Sequence, residues 1–264
     1  MNYEFICKHV ISAAHEAGRF IQTEAKKFSQ EKVETKGLHN FVSYVDKTAE
    51  EMLVEQLRDV LPEAGFLTEE GTIAPSEEQL QWVIDPLDGT TNFIHGLPPY
   101  SISVALMDGA ETVLGVVYEL NLKECFYAWK DSPAYLDGKI VHVSKVNKVK
   151  DSLIATGFPY YDFDKMDGYL DSLKYFLQNS HGARRLGSAA ADLAYVACGR
   201  FEAFYEYSLQ PWDVAAGAFI LERAGGKVSD FSGGNNFIFG KELVATNNFI
   251  FDEFLGVVQK HLYK

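Results

Sequence analysis

The hydrophobic period of this chain changes twice along its length, and that change restricts the fold more than any other feature. Ile6, Val10, Ala13, Ala14, Ala17 and Ile21 recur at steps of three and four, which predicts an amphipathic helix ending near the charged run AKKFSQEK. Val45, Ala49, Met52, Leu53, Leu57 and Val60 predict a second helix that stops before Pro62. From Gly65 to about Val143 short β-rich runs take over: GFLTEE, QWVID, SISVALM, ETVLGVVYEL and ECFYAW, separated by turn signals such as Asp108-Gly109 and Asp137-Gly138. This stretch reads as an antiparallel sheet of hairpins. Farther on the two kinds of element alternate: a strand LIATGF, helices over about Met166 to Leu177 and Ser188 to Cys198, a strand FEAFYEY, and a helix from Trp212 to Ala224. Short strands around GKVSD and ELVAT follow, with SGGNNFIFGK as a turn and hairpin, then a last helix from Asn248 to His261. Such alternation implies stacked layers of helix and sheet, an α+β fold. No repeat or long linker interrupts the chain, so an N-terminal α+β half, 1–145, and a C-terminal α/β half, 146–264, are expected to form one compact unit.

At 264 residues with 47% hydrophobic and 14% aromatic content, the chain can bury a substantial core. Its 24 basic and 37 acidic residues leave a formal charge of -13, which disfavours nucleic acid and anionic membranes as partners. An anionic ligand therefore needs local compensation, such as a bound metal. Cys7, Cys125 and Cys198 are odd in number, widely spaced and without a CxxC pair, which argues against a disulfide scaffold and for a reducing cytoplasm. Glu4, Lys8, His9 and Glu16 break the apolar character of the N-terminus, and no apolar run is long enough to span a bilayer.

Within WVIDPLDGTTNF, Trp82 to Phe93, the apolar residues predict a buried strand that delivers Asp85 at its end. Pro86 is expected to stop the strand and bend the chain, turning Asp88 back toward the same space. Aspartates so placed can ligate hard cations; Gly89 allows backbone amides to approach an anion, and Thr90 adds a hydroxyl. A β-turn whose aspartates cap their own backbone explains the pair equally well. The spacing of Asp85 and Asp88 does not match an EF-hand loop, and AGGKVSD lacks both the leading glycine and the hydroxyl of a P-loop, with Leu221 and Val228 at those positions. Glu69 and Glu70 in LTEEG, Asp213 behind Pro211 in QPWDVAAG and Asp46 in FVSYVDKTAEE have ordinary explanations when taken singly, as solvated strand ends or first-turn acids favoured by a helix dipole. His39 and His95 lack a second His or Cys at zinc spacing and read as surface or turn residues.

Taken in order, GFLTEEG, WVIDPLDGTTNF and PWDVAAG, with KGLHNFVSYVD upstream and RRLGSAAADLAYVACGRFEAFYEY between the last two, resemble the inositol monophosphatase family over almost the whole chain. The resemblance implies a layered α-β-α-β-α sandwich of the inositol monophosphatase and fructose-1,6-bisphosphatase type. It also implies a homodimer and a lithium-sensitive, Mg²⁺-dependent phosphatase with two to three ions per subunit. By resemblance, a first ion falls to Glu69, Asp85 and the Leu87 carbonyl, a second to Asp85, Asp88 and Asp213, and a third to Glu69 with waters; most ligands thus lie in the N-terminal half. Thr90 with Asp46 would orient and deprotonate the attacking water beside Glu69. The amides of Gly89 and Thr90 would hold phosphate, while Asp88, Ser188, Ala189, Glu206 and Asp213 would contact a small phosphorylated polyol or sugar. Arg184 and Arg185 are assigned to surface ion pairs, with substrate phosphate or a subunit interface as alternatives, and Lys36 to the segment near the metals. TEEG, SLQP and KGLHNF depart from the commoner family wording without removing a ligand. The implied reaction is hydrolysis of myo-inositol monophosphate; 3'(2'),5'-bisphosphate nucleotidase, fructose-1,6-bisphosphatase and histidinol-phosphate phosphatase are alternatives, and a partner of the transcription machinery is an alternative of another class. Thr91 stands where nucleotidase relatives tend to carry lysine.

Overall fold

The computed structural model describes residues 1–27, 33–37, 40–75, 78–160 and 162–263. His39 lies outside them, and Lys36 is among the residues whose side chains are not described. Helix α1 (Tyr3–Ala25) starts behind Asn2, whose side chain accepts the Phe5 amide at 3.0 Å. Strands β1 (Val33–Gly37) and β2 (Asn40–Ser43) pair antiparallel and lead directly into α2 (Tyr44–Val60). The chain then forms β3 (Gly65–Thr68), β4 (Leu80–Asp88), the short helix α3 (Thr90–Ile94), β5 (Ser101–Asp108), β6 (Glu111–Glu119), β7 (Glu124–Trp129), β8 (Tyr135–Leu136) and β9 (Lys139–Ile140). These strands make a seven-stranded sheet in sequence order. Next come β10 (Leu153–Thr156), α4 (Met166–Asn179), β11 (Gly182–Arg184), α5 (Ala189–Ala197), β12 (Ala203–Tyr207), α6 (Pro211–Arg223), β13 (Lys227–Ser229), β14 (Glu242–Thr246) and α7 (Phe251–Leu262). Their strands build a five-stranded sheet ordered β11-β10-β12-β14-β13.

Side chains alternate across a strand, and here both faces of each sheet are covered, so the central strands are apolar at nearly every position. Ile102, Val104 and Leu106 of β5 pack with α1 and α2, whereas Ala105 and Met107 pack with α5 and α6. Trp82 and Ile84 of β4 join the first side and Val83 the second. In the other sheet Phe204, Leu243 and Ala245 face α5 and α6, while Ala203, Tyr205 and Val244 face α4 and α7. The layers therefore run α1 and α2, large sheet, α5 and α6, small sheet, α4 and α7, which is the α-β-α-β-α sandwich.

The structure corrects the sequence reading at two points that matter for the site. The strand β3 pairs with β4 in parallel, within a sheet that is otherwise antiparallel. Its connection to β4 is a long crossover, and a parallel pair cannot be closed by a hairpin turn. Pro86, moreover, does not end its strand. The strand β4 continues to Asp88, and its ladder with β5 slips between Asp85 and Asp88. A bulge is one of the few strand positions that tolerates a residue without an N–H. The helix α3 and strands β8, β9 and β11 are too short to leave a period in the sequence. No helix among the described residues is long and apolar enough to cross a membrane.

One buried acid ties the outer helical layer to the turn after β3. Glu50 of α2 is fully buried, and its carboxylate accepts the amides of Glu70 and Thr72, each at 2.8 Å, and the Thr72 hydroxyl at 2.7 Å. Glu50→Ala strands those donors, each at about 1–3 kcal/mol, so a loss of about 2–4 kcal/mol is expected in urea unfolding. A midpoint equal to the wild-type value would show that this tie carries no stability.

Candidate active site

The parallel pairing of β3 with β4 sets the first two carboxylates side by side. Thr68 stands opposite Ile84, and the Glu69 amide donates to the Ile84 carbonyl at 3.2 Å, so Glu69 leaves its strand at the same edge as Asp85. Asp85 accepts the Leu87 amide at 2.9 Å, which closes the bulge over Pro86 and carries the chain on to Asp88. Gly89 then takes φ +96°, a left-handed conformation that favours glycine, and a Cβ there would lie 3.1 Å from the Pro99 carbonyl oxygen and 3.2 Å from that of Gly187. This turn starts α3. Thr90 Oγ1 lies 2.9 Å from Asp46 Oδ1 and 3.0 Å from the Leu87 carbonyl oxygen, two acceptors for its single proton. Asp46 is buried in the first turn of α2.

The C-terminal half closes the site. Ser188 caps α5, and its hydroxyl donates to Asp88 Oδ2 at 2.6 Å; the Ala190 amide donates to the same oxygen at 2.7 Å. A helix N-terminus thus faces a carboxylate, the arrangement its dipole favours. Asp213 occupies the first turn of α6, where Oδ2 accepts the Gln210 amide at 2.7 Å in a capping box. The Ser103 hydroxyl of β5 donates to the Trp212 carbonyl at 2.9 Å and holds the start of α6 against the large sheet. Glu206 belongs to β12 and is 8% exposed.

These residues surround a cavity of about 300 Å³, lined by Glu69, Asp85, Leu87, Asp88, Gly89, Thr90, Ser188, Ala189, Glu206 and Asp213. Asp46 stands behind it and reaches it through Thr90. His95 is an exposed residue at the end of α3. Arg184 and Arg185 part company. Arg184 is exposed and donates to the Ala183 carbonyl, whereas Arg185, assigned from sequence to a surface ion pair, lines the cavity. Arg185 follows β11 as irregular chain, so no period in the sequence separates the two arginines. Glu50 was missed as well, because a single acid on a helix leaves no pattern.

Burial drives the electrostatics. It pushes the carboxyl of Glu69 well above the usual range, with the charges of Asp213 and Glu70 adding to it, and does the same to Asp85, helped by Glu69 and Asp88. Glu69 and Asp85 stand within hydrogen-bonding reach of each other. Asp88 rises to about 6, since burial outweighs the bonds from Ser188, Ala190 and Ala189 and the charge of Arg185. Asp213 rises to about 8 through burial and Asp88, against the Gln210 amide bond. Glu206 is raised by burial and by Asp213, and Arg185 opposes the rise. Among the described residues no three His, Cys, Asp or Glu side chains already stand as a metal site. The chemistry of the donor set nonetheless fits a hard divalent cation. The donors are carboxylate and carbonyl oxygens without Cys or His, and their mutual repulsion is what a cation relieves.

Comparison with known proteins agrees with the geometry. A model of the inositol monophosphatase family matches residues 2–263. The chain is 38% identical over 257 residues to the Nus factor SuhB of Pseudomonas aeruginosa, covering 96% of this chain and 95% of that protein. It is 36% identical over 254 residues to the inositol-1-monophosphatase of Mesorhizobium japonicum, covering 96% of each. Among solved structures it superposes on the Thermotoga maritima IMPase with a TM-score of 0.87 at 33% identity, covering 96% of both chains. On the Bartonella henselae extragenic suppressor protein suhB the TM-score is 0.88 at 36% identity, covering 96% of this chain and 98% of that one. With motifs, layers and cavity all in accord, this chain belongs to the inositol monophosphatase family.

Proposed function

We propose that the protein hydrolyses a small phosphate monoester, myo-inositol monophosphate first among candidates, to the alcohol and inorganic phosphate, with two to three Mg²⁺ ions per subunit. The observation that carries this reading is the cluster of Glu69, Asp85, Asp88 and Asp213 beside the Gly89-Thr90 turn, in one cavity with Glu206. Glu69, Asp85, the Leu87 carbonyl, Asp88 and Asp213 would hold the Mg²⁺, which when bound would supply Lewis acidity and lower the pKa of water from about 15.7 toward neutrality.

The remaining roles belong to the chain itself. Glu69 and Thr90 orient the attacking water, and Asp46 accepts the Thr90 proton so that the hydroxyl oxygen can take up the proton of the water. The amides of Gly89 and Thr90, at the start of α3, would hold phosphate oxygens as preorganised donors. Water adds to phosphorus, the bond to the alcohol oxygen breaks, and a proton ends on the leaving alcohol. Asp88, Ser188, Ala189, Glu206 and Asp213 receive that alcohol. A carboxylate in the alcohol region suits polyol hydroxyls better than the second phosphate of a bisphosphate nucleotide or of fructose 1,6-bisphosphate. Histidinol phosphate would bring an amine to the same carboxylate. Three unpaired cysteines support a reducing cytoplasm. The exposed Leu170 and Leu177 on α4 offer apolar surface to a second subunit in a homodimer.

The Nus factor name of the Pseudomonas aeruginosa relative supports a second reading, in which the protein is also a partner of the transcription machinery. The two roles separate experimentally, since a binding role persists in a variant without turnover.

The first test is phosphate release from inositol 1-phosphate, fructose 1,6-bisphosphate, adenosine 3',5'-bisphosphate and histidinol phosphate, with Mg²⁺, with chelator and with Li⁺. Highest efficiency on the inositol ester, loss in chelator and inhibition by Li⁺ are expected; no release from any ester with Mg²⁺ would move the binding role to the front. Asp85→Asn keeps an acceptor for the Leu87 amide, so it is expected to fold while losing at least about a thousandfold in turnover. Near-normal turnover would remove Asp85 from the metal site. Stability should also depend on pH and metal together. Acids whose folded pKa exceeds the unfolded value of about 3.9 contribute stability that is full below that pH. It is lost as pH rises through about 6 for Asp88 and about 8 for Asp213. The melting temperature in chelator is therefore expected to fall between about pH 5 and about pH 9, and excess Mg²⁺ to restore it. A chelator curve that is flat or rises over that span would contradict the buried-acid cluster.

A further inference from the structure

We propose that Arg185 selects the leaving alcohol, acting as the fixed donor that complements the acceptor Glu206 and admitting a polyol or sugar ester with adjacent free hydroxyls. This deepens the phosphatase reading above and rests on it. Among the described residues that line the cavity, Arg185 alone is basic. It is also held in place. Its Nη2 donates to the Tyr160 phenol oxygen at 2.5 Å, and the guanidinium carbon lies 5.6 Å from the ring centroids of both Phe158 and Tyr160. Arginine on an aromatic face keeps its planar fork of donors oriented. Its Nε is buried with no acceptor, which leaves the fork one bond short.

The backbone beside it is shaped around Glu206. A Cβ at Gly157 would stand 1.9–2.1 Å from the Glu206 carboxylate, so a side chain there would displace the acid. Glycine lets the segment carrying Phe158 and Tyr160 lie against Glu206, and the anchors of the donor and the acceptor meet in one part of the cavity. A hydroxyl both gives and takes a hydrogen bond, and two adjacent hydroxyls satisfy a guanidinium and a carboxylate together. Phe158, 44% exposed, adds an apolar surface for ring C–H groups. A second phosphate is a poorer match for Arg185. Arg185 already stands among the acidic side chains of Glu206 and Asp192, which repel a second phosphate.

The experiment is steady-state kinetics of wild type, Arg185→Gln, Arg185→Lys and Tyr160→Phe with Mg²⁺. The substrates are inositol 1-phosphate, fructose 1,6-bisphosphate, and p-nitrophenyl phosphate, whose leaving group carries no alcohol hydroxyl. Arg185→Gln is expected to lose about tenfold more kcat/KM on the inositol ester than on the aryl ester, mostly through KM, because a hydroxyl-reading group distinguishes substrates by that bond. Arg185→Lys should recover part of the loss, and Tyr160→Phe, which keeps the ring and removes only the hydroxyl anchor, should show the same selectivity at a few-fold scale. That variant carries the test if Arg185→Gln does not fold. Equal losses on the inositol and aryl esters, or no loss on either, would overturn the inference. A loss confined to the bisphosphate would assign Arg185 to a second phosphate instead. Wild type that hydrolyses none of the three esters would bring down the phosphatase reading and this inference with it. Wild type that is active, with variants lacking selectivity, would bring down this inference alone.

Discussion

Burial of carboxylates against one another is the constraint on which the rest of this molecule depends. Glu69, Asp85, Asp88 and Asp213 occupy one cavity, and each is raised above the normal carboxylate range by loss of water. Left alone, such a cluster would push apart the elements that carry it. It is held by backbone and hydroxyl donors: the Leu87 amide on Asp85, Ser188 and Ala190 on Asp88, and the Gln210 amide on Asp213. Each of these donors is fixed by a bulge or a helix start. The fold therefore supplies rigid amide and hydroxyl donors to acids that burial still keeps raised, and the oxygens left over suit a hard divalent cation.

The five layers serve this purpose. Glu69, Asp85 and Asp88 leave the edge of the large sheet, while Asp213 and Ser188 stand at the first turns of the two helices of the middle layer. Glu206 rises from the small sheet on the face it shares with Phe204, because residues two apart on β12 point the same way. Glu69, Asp85 and Asp88 therefore come from one sheet and Glu206 from the other, and they meet beside the first turns of α5 and α6.

Much of this was legible in the chain. The helical steps of Ile6 to Ile21 and Val45 to Val60 lie within α1 and α2, and the β-rich runs correspond to β3 to β7. The order of the layers came with the family resemblance, because periodicity marks which face of an element is buried without saying against what. What escaped had physical reasons. Parallel pairing of β3 is decided by a crossover and by what covers it, not by its own four residues. Pro86 ordinarily ends a strand, and the bulge that tolerates it is a property of the pairing with β5. Glu50 and Arg185 are single residues whose placement is set by tertiary packing, which leaves no period in the sequence.

The bond from Ser188 to Asp88 joins residues a hundred positions apart in the chain, and Asp46 and Asp213 lie still farther from each other. Contacts of such range form late, since closing a long loop costs entropy before it yields any contact energy. Neither half of the chain holds a site by itself, so recovery of the cavity reports on the final docking of the two sheets. Helices and local hairpins can be in place earlier. A chain whose two sheets have not docked therefore has no complete cavity, however much of its local secondary structure is in place.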